Sequence, residues 1–381
     1  MAARRGAFSL SLHRPLNERV AFPVGSRYPA PVLERLTAHV RSGLAMPGDE
    51  AAAAAACLLD ESLSIETKAD FLSALARKGE TADEIAAFAR FLRGKAIAPP
   101  LDTTLRNGGI LDVVGTGGDR AGTFNISTAA ALVAASAGVK VAKHGNRAVT
   151  CQTGSADVIE ALGIPIDLPP ERAVSALRDH GFAFFFAPLY HPAFRHIAPV
   201  RRLCADRGQR TLFNYLGPLL NPVCPTAQVM GVPRPDLCEP LAMVLQSLGV
   251  QRGIVVCGRT GLATGAMYFD ELSVLGDTTI AEFYQERGVH CSTLRRADFP
   301  MQPAILTDLQ GGDRATNAET LRRVLRGDER GPKRDAVLLN AGAALFVADR
   351  VRTVADGWEA AADLIDSGRA WAKLEEIRIS R

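Results

Sequence analysis

Three polar clusters in this sequence hold enough donors and acceptors, closely enough spaced, to act on an anionic ligand. The first is "VVGTGGDRAGTFNIST", in which Gly115, Gly118, Asp119, Thr123, Asn125, Ser127 and Thr128 lie between an apolar run and an alanine-rich one. Glycines let backbone N–H groups approach an anion, and a helix starting near Asn125 turns its positive end toward a phosphate. The spacing matches neither G-x-G-x-x-G nor G-x-x-x-x-G-K-[ST], and a tight strand-to-helix turn capped by Asn125 or Ser127 is the plain alternative. The second cluster, Lys143, His144, Gly145, Asn146 and Arg147, offers a point charge and a planar fork able to neutralise a phosphorylated ligand. Its alternative is a solvated basic turn. The third is the adjacent pair Asp270 and Glu271 in "YFDELSV". Neighbouring side chains point apart, so the two do not form an acid/base dyad, but they suit Mg²⁺, which takes one or two carboxylates along with substrate phosphates.

A fourth group, His191, Arg195, His196, Arg201 and Arg202, falls in one helix-forming segment. His191 and His196 do not have the i, i+4 spacing of a zinc-binding face, and there is no H-E-x-x-H. Arginine here suits a carboxylate or phosphate, with a solvated helix face as the alternative. No G-x-S-x-G is present, and Cys151 is the one cysteine near a plausible base. The chemistry legible in these residues is polyanion binding with Mg²⁺, in which the protein supplies positioning and electrostatics to a leaving group that is already good.

The elements that must bring these clusters together divide the chain at about Pro99. Residues 28–98 read as four helices without a strand, for example "TADEIAAFARFLRGKA", with a Thr/Asp start, an apolar face and a glycine near its end. Beyond it, the short runs "ILDVV", "VKVAKH", "FAFFFA", "AQVMGV", "GIVVCG" and "ELSVL" alternate with helical stretches. That alternation predicts an α/β domain with a mainly parallel sheet covered by helices. The clusters follow predicted strands, so they should converge beyond the carboxyl ends of the sheet. Among the 381 residues, 47% are hydrophobic and 22% charged, and the net charge of +3 gives no reason to expect nucleic acid. Seven cysteines without a C-x-x-C pair read as reduced thiols of a cytoplasmic protein, and no apolar run has the length of a membrane span. Residues 1–27, rich in arginine and serine, weakly resemble an organellar transit peptide, but a flexible leader is the favoured reading.

Taken together, "GTGGD…TFNIST", "KHGNRAV", "GSADVIEALG", "YHPAFRHIAPVRR", "TLFNYLGPLLNP", "FDELS" and "GPKRDAVLLNAGAALFVAD" closely resemble the anthranilate phosphoribosyltransferase family, in the family's order, from about Tyr28 to the C-terminus. The resemblance implies a homodimer formed through a small helical domain, which is completed by a later helical segment near 200–245. It also implies a larger α/β domain over 99–381 that binds 5-phosphoribosyl 1-diphosphate (PRPP). The implied reaction transfers the phosphoribosyl group of PRPP to the amine of anthranilate and releases diphosphate, a step of tryptophan biosynthesis, with no nucleic-acid or membrane partner. Carried over by motif, Gly115, Gly118, Asp119, Thr123, Asn125, Ile126, Ser127, Thr128, Lys143, His144, Gly145, Asn146, Arg147, Ala148, Val149, Thr150, Cys151 and Ser155 would hold PRPP. Gly115, Asn146 and Arg201 would contact anthranilate, with His144 and His191 along the acceptor path, and Ser127, Asp270 and Glu271 would bind Mg²⁺. No residue is assigned as acid or base, and Lys143 gives electrostatic support. Gln152 stands where the family commonly has lysine, and the 203–209 and 261–269 segments are longer than usual. The alternatives are a paralogous phosphoribosyltransferase or a pyrimidine nucleoside phosphorylase of the same fold, and, in a different class, a non-catalytic binding relative.

Overall fold

Four helices, Ala30–Arg41, Gly48–Leu59, Ile65–Lys78 and Ala82–Gly94, open the computed structural model, which describes residues 30–148, 152–261, 267–285 and 287–379. The leader and the predicted site residues Val149, Thr150 and Cys151 lie outside the described residues. Local chemistry sets the helix ends. The Ser64 hydroxyl accepts from the Thr67 N–H, Thr81 and Glu84 form a reciprocal capping box, and Gly79 stops the third helix at φ +87°. The apolar faces of this helical domain meet two later helices, Ala198–Asp206 and Cys238–Ser247, in a core that includes Leu33, Leu72, Phe88, Val200 and Leu241. The same core runs on to Met230, Val255 and Phe283 of the sheet, so the helical domain shares its interior with one sheet face.

Among the described residues the α/β domain has eight strands: β1 Ile110–Gly115, β2 Lys140–Gly145, β3 Phe182–Phe186, β4 Ala227–Gly231, β5 Arg252–Arg259, β6 Tyr268–Phe269, β7 Thr278–Tyr284 and β8 His290–Leu294. Their order is β3-β2-β1-β4-β5-β7-β8, with β6 beside β5. β1 to β5 are parallel, and β6, β7 and β8 join antiparallel. The direction of strand progression reverses between β1 and β4. In an open sheet, the crevice beyond such a reversal is where ligands bind. Alternation along the strands sends Val113, Val141, Val229 and Ile254 to a face covered by the helices Ile126–Ser136 and Pro332–Val347. Met230 and Val255 face the helical domain instead, and Ala142 faces the helix Pro170–His180.

Two expectations are corrected. "ELSVL", Glu271–Leu275, is not a strand. Its backbone groups find side-chain partners in place of a ladder: Leu272 N–H donates to Asn340 Oδ1, and the N–H groups of Leu275 and Gly276 donate to Ser273 Oγ. The segment from His191 to Arg202 is not one helix either. Pro192 and Pro199 divide it into a 3₁₀ turn Pro192–His196 and the helix Ala198–Asp206, after a separate short turn of helix Ala187–Tyr190.

Candidate active site

The crevice between β1 and β4 is roofed by the chain itself. Gly115 and Gly231 end the two strands side by side, and the backbone of Asp270 crosses directly above them. A Cβ on Gly115 would meet Asp270 Oδ2 at 2.5 Å, and one on Gly231 would overlap the Asp270 carbonyl. A Cβ on Gly258 of β5 would likewise stand 2.5 Å from the Glu271 carbonyl. Glycine at these three strand ends is what lets the carboxylate pair lie on the sheet edge. Asn340 holds the pair from behind, accepting from Leu272 N–H at 3.0 Å and donating to the Leu272 carbonyl at 3.1 Å. Sequence reasoning missed Gly231, Gly258 and Asn340. The two glycines carry a visible signal, since each ends an apolar run, as Gly115 does.

The glycine loop wraps the carboxylates. Gly117 and Gly118 have φ of +70° and +76°, and Gly117 N–H donates to Asp270 Oδ2 at 2.5 Å. Asp119 bends back as well: Oδ1 accepts from Ala121 N–H, and Oδ2 accepts from Asp270 N–H at 3.4 Å. Glu271 Oε1 accepts from Ser127 N–H at 3.1 Å, at the entry to the helix Ile126–Ser136. Asn125 occupies the cap position of that helix, but its side chain makes no capping bond. Ile126 is different in kind, with its side chain in the core and its N–H bonded to the Phe124 carbonyl. Thr123 pairs by its backbone with Gln310, and Thr128 is buried with its hydroxyl unpartnered among the described residues.

Lys143 and His144 belong to the end of β2, not to a loop after it, so they point to opposite faces of the sheet. Lys143 is buried, donating to the Val113 carbonyl at 2.6 Å and to Ser127 Oγ at 3.4 Å. Beneath it, buried Asp112 accepts from Asn221 Nδ2 at 2.9 Å and from His144 N–H at 3.4 Å. Burial lowers the Lys143 pKa, with Asp112 and Glu271 opposing that shift, and pushes Asp112 up to about 6. Asp270 and Glu271 are both raised above the usual carboxylate range, by burial first. Repulsion adds to it, from Asp119 on Asp270 and from Asp270 on Glu271. Asp112, Asp119, Asp270 and Glu271 thus share the crevice with one lysine, and a cation there would favour the ionised form of the raised carboxyls. Among the described residues, no three His, Cys, Asp or Glu side chains form a closed metal cage. The donor set of two carboxylates and a hydroxyl fits a hard cation that keeps open positions for water or phosphate.

On the other face, His144 and His191 stack edge to face with ring centroids 5.3 Å apart. Both are buried, and among the described residues His144 Nε2 and both His191 ring nitrogens lack a well-formed hydrogen bond. Burial pushes His144 down to about 3, with His191 adding to the shift, and pushes His191 down to about 4. Arg201 lies over the Phe213 ring at 5.9 Å and has no ion pair among the described residues. Arg210, which sequence reasoning passed over, donates to the Gly118 carbonyl at 3.2 Å and so ties this side to the glycine loop. Arg147 does not present a free fork. Its guanidinium binds Asp157 at 2.9 Å and both Glu160 oxygens at 3.0 Å. Asn146 is exposed, with its carbonyl accepting from Ser155 Oγ at 3.4 Å, and Ala148 N–H donates to Asp157. Gly145 leaves the space that Ser155 Oγ enters.

Comparison with known proteins matches residues 107–371 to the model of a glycosyl transferase family, a/b domain, and residues 34–96 to that of its helical bundle domain. The anthranilate phosphoribosyltransferase of Symbiobacterium thermophilum is 44% identical over 346 residues, covering 91% of this chain and 97% of that protein. The crystal structure of the enzyme of that name from Thermus thermophilus superposes with a TM-score of 0.80 at 40% identity, over 91% of this chain and 98% of its own. The Saccharomyces cerevisiae enzyme, in complex with PRPP and Mg, gives 0.77 at 27% identity over the same shares.

Proposed function

The chain belongs to the anthranilate phosphoribosyltransferase family, and from that premise we propose how its residues divide the work. The reaction breaks the bond between ribose C1 and the diphosphate oxygen of PRPP and forms one between C1 and the anthranilate nitrogen. Diphosphate leaves, and the amine gives up a proton. The observation that carries the assignment is the convergence of the glycine loop, Lys143 and the Asp270–Glu271 pair at the β1/β4 crevice.

PRPP lies along the glycine loop and the start of the helix at Ile126, where Gly118, Thr123, Asn125 and backbone N–H groups bind its phosphates. Lys143 meets the developing negative charge of the leaving group from below, and Ser127 sits between that lysine and Glu271. Asp270, Glu271 and Ser127 would hold Mg²⁺, which when bound neutralises charge on the departing diphosphate. The aromatic amine of anthranilate is unprotonated near neutral pH, so no strong base is needed to prepare it. His144 and His191, held neutral by burial, line its approach without competing for its carboxylate. Arg201 takes that carboxylate, and the Phe213 ring beneath fixes the guanidinium.

The helical domain pairs two copies of the chain, and exposed Leu44 and Ile65 on its surface support that reading. Among the described residues six cysteines are free, four of them buried, which supports a reducing cytoplasmic location. Among the described residues, no helix is long and apolar enough to cross a membrane. The test is the loss of anthranilate fluorescence with PRPP and Mg²⁺. Steady consumption is expected, absence of turnover would overturn the reading, and thymidine phosphorolysis in its place would favour a nucleoside phosphorylase.

A further inference from the structure

We propose that Asn317 is a positioning residue for PRPP, acting through Asn125. The proposal rests on the assignment of Asn125 to PRPP made above and adds a residue that no motif singled out. Asn317 is buried on the helix Arg314–Arg326, remote in sequence from the glycine loop. Its amide lies against Gly311, where a Cβ would stand 2.8 Å from Asn317 Oδ1.

A closed ring of hydrogen bonds passes through it, and the orientation of each amide follows from one fixed donor. The Gly312 N–H can only donate, and it donates to Asn317 Oδ1 at 2.8 Å. Asn317 must therefore present Nδ2 to Asn125, which accepts through Oδ1 at 3.0 Å. Asn125 in turn presents Nδ2 to the Thr153 carbonyl, at 3.5 Å. The Thr153 hydroxyl closes the ring by donating to the Gly312 carbonyl at 2.7 Å. The backbone runs in parallel with this ring: Phe124 N–H donates to the Leu309 carbonyl at 3.0 Å and Gly311 N–H to the Gly122 carbonyl at 2.9 Å. Asn125 is released from capping its own helix because Asn317 has claimed its amide. The ring fixes which end of that amide faces the PRPP seat and ties the glycine loop to the segment leading into the helix Ser155–Ala161.

Asn317→Asp separates this role from a structural one. The carboxylate still accepts from Gly312 N–H but cannot donate to Asn125, which must turn its amide over. The PRPP KM of N317D is expected to rise about tenfold with the anthranilate KM close to wild type, while the buried carboxyl lowers the melting temperature at neutral pH. N125A should raise the PRPP KM by a similar factor, and N125A/N317D should be no worse than N125A alone. Thr153→Val, which opens the ring elsewhere, should raise the PRPP KM about threefold. If N317D or T153V keeps the wild-type PRPP KM while N125A does not, the positioning role is overturned and the assignment of Asn125 stands. If N125A itself keeps the wild-type PRPP KM, the assignment of Asn125 fails first. Additive effects in the double variant overturn the coupling.

Discussion

The two sides of the active site solve opposite electrostatic problems. On the donor side, Asp112, Lys143, Asp270 and Glu271 are ionisable groups drawn into the protein, with Asp119 pressed against Asp270. On the acceptor side, the buried groups are two histidines kept neutral, and the cation Arg201 stays at the surface over an aromatic ring. The donor side is unbalanced until a cation and a polyanion arrive together, so its stability is sacrificed to binding. On the assignment proposed above, the acceptor side asks nothing of its ligand but shape and one carboxylate. A phosphoryl-bearing substrate is thereby matched by charge, and a neutral amine by the absence of it.

The largest effects should come from the donor side. Replacing both Asp270 and Glu271 by alanine should lower turnover roughly a hundred- to a thousandfold and raise the Mg²⁺ concentration needed, measured by metal titration of the fluorescence assay. Wild-type Mg²⁺ dependence in that variant would remove the metal assignment. Stability should move the other way. Both carboxyls have folded-state pKa values raised above 3.8 and 4.5, so their contribution is fully present below those values and is lost as pH rises through the raised ones. Asp270→Asn should therefore melt at a higher temperature than wild type at neutral pH without Mg²⁺, by calorimetry. A lower melting temperature would mean that the bond from Gly117 N–H outweighs the charge.

Next comes Gly115→Ala, whose Cβ would press on Asp270 Oδ2. Overpacking of this kind costs about 1–3 kcal/mol. Because the carboxylate is what must yield, the change should raise the Mg²⁺ requirement and the PRPP KM together, while the anthranilate KM moves less. Equal movement of both substrates would show that Gly115 serves the acceptor as well as the donor, as the family resemblance implies, blurring the division between the two sides.

The donor side was also the more legible in the sequence. Strand-ending glycines, a hydroxyl-rich helix start and adjacent acids are local signals, and β1 to β5 were each readable as short β-branched or aromatic runs. What escaped was whatever depends on a distant partner. The backbone of Glu271–Leu275 reads as a strand by composition, but Asn340 and Ser273 satisfy it from outside any ladder. β8 offered too little apolar alternation, since it is an exposed edge. The charge of Arg147 was legible, but its partners were not: Asp157 and Glu160 lie in the helix that follows. Arg210 and Asn317 were invisible for the same reason: nothing in their neighbourhood announces Gly118 or Asn125 as their partner.

On the acceptor side, Arg201→Ala should raise the anthranilate KM about tenfold or more and leave the PRPP KM near wild type, the cost of one charge-assisted contact. Steady-state kinetics with each substrate varied in turn would check it. A change confined to PRPP would place Arg201 with the donor-side groups and break the comparison.

The last effect expected is on stability against pH, not on turnover, and it isolates the neutral histidines. His144 and His191 are depressed from 6.5 to about 3 and about 4. Above pH 6.5 both are neutral folded or unfolded, and they add no pH dependence. Below it the unfolded chain takes up protons that the folded site refuses, so the stability they contribute is lost as pH falls toward the folded values. The loss approaches about 1.4 kcal/mol per pH unit for each histidine. Denaturant unfolding of wild type and His191→Gln between pH 6.5 and pH 4.5 should show the variant losing stability less steeply. Equal slopes would mean that His191 is protonated in the folded state, and the acceptor side would then hold a buried cation of its own.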